Sequence, residues 1–143
     1  MNYRQSQLPP IVITADDLHR LSLLANSTMT RFPRLAHFLA REIDRANVVP
    51  GQVDLSGVVR MGSQVRYRDE TTRHVRNVTL VYPHEANIDR NRISVLTPVG
   101  AALIGLLEGQ TIEFQTPSRE KRSLTVLHVS TEPTAADVKE LSQ

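Results

Sequence analysis

The sequence predicts an α+β protein: an N-terminal antiparallel helical hairpin, then a mainly antiparallel β-sheet domain carrying one helix. Three observations predict it. Apolar residues recur at helical spacing through the first 50 positions, and composition shifts from Leu/Ala/Arg to Val/Thr/Ile near residues 50–57. The strand-like remainder is interrupted once, by a Thr-Pro start followed by small residues.

Ile11 to Thr14 reads as a short extended lead-in. Thr14 and Asp17 form a capping-box-like start, with a carboxylate beside the positive end of a helix. Leu18, Leu21 and Leu24 then recur at helical spacing, ending near Asn26. The stretch from Asn26 to Arg34 is a break, and Pro33 suits the first turn of a second helix. That helix carries Leu35, Phe38, Leu39, Ile43 and Ala46 on one stripe. Two amphipathic helices with a short connection are expected to pair antiparallel, either docked on the main domain or projecting from it as a hairpin. Pro50-Gly51 closes this region. The expected organisation is a helical hairpin at 1–50, a linker at 51–57, a β domain at 58–130 and a tail at 131–143.

Val58 to Tyr67 reads as a strand, Asp69 to Thr72 as a turn, and Val75 to Tyr82 as the returning strand that Pro83 stops. After a polar loop with Asn87, Asp89 and Asn91 comes a short strand, Ile93 to Leu96. Thr97-Pro98 supplies an N-cap and a first-turn proline for a helix through Leu106. Thr111 to Gln115 and Ser123 to Val129 are the last strands, joined by a turn at Pro117-Ser118.

With 40% hydrophobic and 22% charged residues the chain has a globular composition. Three Phe, three Tyr and no Trp require an aliphatic core. The absence of cysteine excludes disulfides, thiolate metal sites and cysteine nucleophiles. No apolar run reaches the ~20 residues of a membrane span, and Met1 to Pro10 lacks a signal-peptide core, so a cytoplasmic protein without membrane contact is expected. The net charge of +2, with Arg interspersed among acids, allows at most a weak nucleic-acid contact and favours a protein partner.

Enzyme signatures are missing. His19, His37, His74, His84 and His128 are dispersed without metal-ligand spacing and read as surface or half-buried side chains. No phosphate loop or nucleophile elbow occurs. Gly100 and Gly105 are expected to pack closely against the sheet. Asp16-Asp17 is explained by the helix start. The informative stretch is Ile93 to Gly105, a strand leading into a proline-capped helix of small residues.

Ile93-Ser94-Val95, Pro98 and Ala102-Leu103-Ile104-Gly105, with Gly109 shortly after, resemble the signature of the Gre-factor C-terminal domain. Gly62, Tyr82-Pro83 followed by Glu85-Ala86, and Thr116-Pro117 fall in that family's order. Leu80 to Pro83 and Pro98 to Leu103 are most similar to its short branch, the Gre-like regulators of nucleoside diphosphate kinase. The resemblance implies an FKBP-like domain docking on the rim of the RNA polymerase secondary channel, with the hairpin directed toward the channel. It implies a docking surface of Leu96, Thr97, Pro98 and Val99, with an exposed Leu96 as apolar anchor, and a hairpin tip of Met29, Arg31 and Arg34.

Gre factors carry acidic residues at the tip of a long coiled coil, which help hold a catalytic magnesium ion. Here Asn26 to Arg34 contains no Asp or Glu. Helices of ~12–14 residues reach about 20 Å at ~1.5 Å per residue. The implied function is a non-enzymatic, polymerase-binding transcription elongation regulator that does not stimulate transcript cleavage and takes no cofactor or small-molecule substrate. Three alternatives compete. A peptidyl-prolyl isomerase needs an aromatic pocket, for which the β domain offers only Tyr67, Tyr82 and Phe114. A direct regulator of nucleoside diphosphate kinase has no residue in its support. A nucleic-acid binder would use Arg66, Arg68, Arg73 and Arg76 as one basic face of the first β hairpin.

Overall fold

A computed structural model describes residues 9–50, 55–116 and 118–131. Parts of the expected linker and tail, and Pro117 of the last turn, lie outside the described residues.

Strand β1 (Val12–Thr14) runs directly into helix α1 (Ala15–Thr28). Thr14 Oγ1 accepts the Asp17 N–H at 3.1 Å, which is the cap that the Thr-Asp spacing predicts. Residues 29–32 lead to helix α2 (Pro33–Asp44), with Pro33 in its first turn. The two helices pack on one another. Strand β2 (Asn47–Val49) then pairs in parallel with β1, Val12 opposite Asn47 and Thr14 opposite Val49.

A five-stranded sheet follows. It consists of β3 (Ser63–Asp69), β4 (Val75–Val81), β5 (Arg92–Ser94), β6 (Thr111–Gln115) and β7 (Lys121–Thr131), in the order β5-β4-β3-β7-β6. All its pairs are antiparallel except β4 with β5. Single 3₁₀ turns at Pro83–Glu85 and Ile88–Arg90 connect β4 to β5. Helix α3 (Pro98–Leu103) lies between β5 and β6. The expected first strand from Val58 begins instead at Ser63. Val58 makes only an isolated bridge to Leu107, and Gly62, at φ 88°, turns the chain into β3.

One interior serves both halves. Ile11, Ile13, Leu21, Leu39 and Ile43 belong to the same buried cluster as Val65, Leu80, Leu103, Ile112 and Leu124. The Phe38 and Phe114 rings stack at 6.4 Å, joining α2 to β6. The Val12 N–H donates to the Gly105 carbonyl at 3.0 Å, and the Gly105 N–H to the Val59 carbonyl at 2.9 Å. The helices therefore lie against the sheet. Burial of aliphatic side chains on that contact, each worth ~1.5–3 kcal/mol, holds them there.

Candidate functional site

The strand-to-helix corner from Ser94 to Gly100 is built tightly. Thr97 Oγ1 donates to the Ser94 carbonyl at 2.7 Å and accepts the Gly100 N–H at 3.0 Å, so this hydroxyl both closes the turn and caps α3. Ser94 Oγ accepts the Leu96 N–H at 2.9 Å. Gly100 is obligatory here, because a Cβ would lie 2.1 Å from the Ser94 carbonyl oxygen. The helix stops at Leu103, earlier than the expected Leu106, and Gly105 turns the chain at φ 82°.

The expectation of an exposed Leu96 is corrected. Leu96 is only 8% exposed and belongs to the core. Its backbone is turned inward by the Ser94 and Thr97 bonds, a folding of the chain that strand alternation alone does not reveal. Thr97, Pro98 and Val99 are half-buried and form the accessible part of the corner, with Val99 also resting on the core.

At the connection between α1 and α2, Met29 is half-buried while Arg31 and Arg34 are exposed. Phe32 is 46% exposed, and the Arg31 guanidinium stands 5.6 Å from the centre of its ring. Thr28 Oγ1 donates to the Leu24 carbonyl at 2.7 Å, tying down the last turn of α1.

The four arginines of the first β hairpin do not form one face. Arg66 lies opposite Asn77 and Arg76 opposite Tyr67, so these two arginines point to opposite sides of the sheet. Glu70 binds Arg68 at 3.0 Å and Arg73 at 2.8 Å, and Asp69 binds Arg122. Burial would raise the Asp69 carboxyl, but the Arg122 hydrogen bond and the Thr72 and Thr71 N–H groups together hold it below its ordinary value. The basic-face expectation thus fails because alternation splits the set and neighbouring acids neutralise half of it.

One contact region has no clear sequence signal. The Arg20 guanidinium of α1 lies 4.2 Å from the centre of the Tyr82 ring, just beyond β4. Burial, followed by the nearby Asp17 charge, pushes the Tyr82 hydroxyl up to about 12. Burial also raises Asp17, against the opposing pull of the Met61 N–H, Arg60 and Arg20. These groups fasten the first turns of α1 to the sheet. The Tyr82-Pro83 pair marks the place in the sequence, but its partners are some 60 positions away and leave no local pattern. The five histidines are all exposed, and among the described residues no cluster of His and acidic side chains could hold a metal ion.

Residues 54–131, more than half of the chain, match the family described as transcription elongation factor GreA/GreB, C-terminal. The chain belongs to the GreA/GreB family. Residues 9–49 match a second family, the Rnk N-terminus. The regulator of nucleoside diphosphate kinase of Escherichia coli K12 is 34% identical over 128 residues, covering 90% of this chain and 94% of that protein. The transcription elongation factor GreA of Ruegeria pomeroyi is 37% identical over 67 residues, 47% of this chain and 43% of its own length. Among solved structures, a GreA/GreB factor from Nitrosomonas europaea superposes with a TM-score of 0.66 at 35% identity, covering 85% of this chain and 98% of that one. The Gre-family β domain is therefore combined here with a helical region shared with the nucleoside diphosphate kinase regulator.

Proposed function

We propose that this Gre-family chain is a transcription regulator that binds RNA polymerase at the secondary-channel rim and does not stimulate transcript cleavage. The observation that carries the reading is the connection between α1 and α2. It contains no carboxylate from Asn26 to Arg34 and exposes Arg31 and Arg34. Magnesium selects hard oxygen ligands, usually one or two carboxylates completed by water and phosphate. An arginine-bearing tip does not fit that ion. Reach points the same way. Helices of 14 and 12 residues rise about 20 Å at ~1.5 Å per residue, and part of that length is already used against the sheet.

In this reading the N-terminal helices act as a short antiparallel hairpin, residues 58–130 form the FKBP-like docking domain, and the accessible corner at Thr97, Pro98 and Val99 meets the polymerase. Leu96 supports that corner from the interior. A purified core polymerase binding measurement, followed by cleavage assays on backtracked complexes, tests the proposal. The expected result is binding, no acceleration of cleavage, and inhibition of an added cleavage factor by competition. Stimulated cleavage would refute the argument from the tip, and absence of binding would refute the docking assignment. Pro98→Arg is expected to weaken binding while leaving the melting transition in place.

A further inference from the structure

The outward face of the sheet carries a feature with no role in the docking argument. A groove of about 390 Å³ crosses β4, β3 and β7, with the 3₁₀ turn Ile88–Arg90 forming one side. Its chemistry is set by Arg66, Arg90, His128, Gln64, Asn77 and Ser130. These residues meet by register. Gln64 is opposite both Thr79 and Ser130, and Arg66 opposite both Asn77 and His128. Paired residues share a face, so three polar rows converge on one depression.

Two cations in the groove are available. Asn77 Oδ1 accepts from Arg66 Nε at 3.0 Å, which orients the guanidinium plane and leaves its two terminal nitrogens without a partner among the described residues. Arg90 has no ion pair among the described residues, and the turn that carries it is itself braced. The Asn87 side chain accepts the Asp89 N–H at 3.0 Å, Asn91 adopts φ 56°, and the Asn91 carbonyl accepts the Thr79 N–H at 2.8 Å. Among the described residues no carboxylate lines the groove. Glu108 binds the lining residue His128 through Nδ1 at 3.1 Å and accepts the Val129 N–H at 2.8 Å. A fixed guanidinium plane with forked donors facing outward, as at Arg66, beside a second cation is an arrangement that recognises phosphoryl oxygens.

We propose that this groove binds a compact phosphate-bearing small molecule through Arg66 and Arg90, with the amides and hydroxyl of Gln64, Asn77 and Ser130 completing its hydrogen bonds. The surroundings argue for a small ligand over a nucleic-acid strand. A backbone track needs successive free cations, yet beyond Arg66 on this face Arg68 is already bound to Glu70. The groove is lined by no Phe, Tyr or Trp on which a base could stack, and its one ring, His128, is tied to Glu108.

The test is a titration of the full-length protein with inorganic pyrophosphate and, separately, with a short single-stranded oligonucleotide, followed by amide NMR shifts and calorimetry. The expected result is saturable pyrophosphate binding with shifts confined to residues of β3, β4 and β7 around Arg66, Asn77 and His128 and to the Ile88–Arg90 turn. Arg66→Gln with Arg90→Gln is expected to weaken that binding at least tenfold without altering the melting temperature, since both side chains are exposed. No shift at millimolar pyrophosphate would overturn the proposal, as would shifts centred on Arg73, undiminished binding by the double variant, or tighter binding of the oligonucleotide.

Discussion

Replacing Gly105 with Ala tests the joint between the N-terminal segment and the sheet. Gly105 adopts φ 82°, and a Cβ there would lie 2.8 Å from Ile11 Cβ and 3.1 Å from the Val12 carbonyl oxygen. The left-handed conformation costs an L-residue about 1–2 kcal/mol. Crowding β1 adds about 1–3 kcal/mol, because neither the Ile11 Cβ nor the backbone can rotate away. The expected loss is about 2–5 kcal/mol out of the roughly 5–15 kcal/mol that holds a domain together. With a urea slope of about 1.5 kcal/mol/M, the unfolding midpoint falls by roughly 1–3 M. Gly109→Ala is the control. It shares the left-handed backbone, at φ 88°, but a Cβ there meets nothing within 4 Å. The effect of Ala on the unfolded chain is common to both variants. The difference between them therefore isolates the contact with Ile11. Equal midpoints for the two variants would refute the packing of β1 against Gly105, and with it the rigid seating of the helices.

Leu96→Ala is expected to destabilise the fold by about 2–4 kcal/mol in denaturant melts, as befits a core position and not a surface anchor. Arg20→Ala is expected to cost about 0.5–1 kcal/mol through loss of the Tyr82 contact, and Arg20→Lys to restore part of it. Asp69→Asn is expected to lower the melting temperature at neutral pH. Its folded carboxyl lies below the unfolded value, so the stabilisation is present above pH ~4 and disappears as pH falls through the folded value. The gap between wild type and variant therefore closes in acid, and melts across pH check it.

The parts of the fold written in local chemistry were legible. Thr14, Pro33 and Thr97-Pro98 mark helix starts through capping and a fixed φ, and Thr111–Gln115 alternates cleanly as an edge strand. What depended on distant partners was not. Asn47–Val49 is a strand only because β1 lies beside it in parallel, a pairing with no signal within three residues. Leu96 looks like the free end of a strand until Ser94 and Thr97 fold it inward. The arginine set of the first β hairpin reads as a basic face in one dimension, whereas register sends Arg66 and Arg76 to opposite sides. The Thr97-Pro98 helix start is legible in its motif, whereas the contacts that brace the corner around it are not.

The common interior of helices and sheet has a practical corollary. A fragment beginning near residue 55 would uncover the wall that Leu39, Ile43 and Phe38 now shield, leaving an oily patch prone to clumping. Residues 9–50 thus serve as a lid that keeps the sheet's inner wall dry.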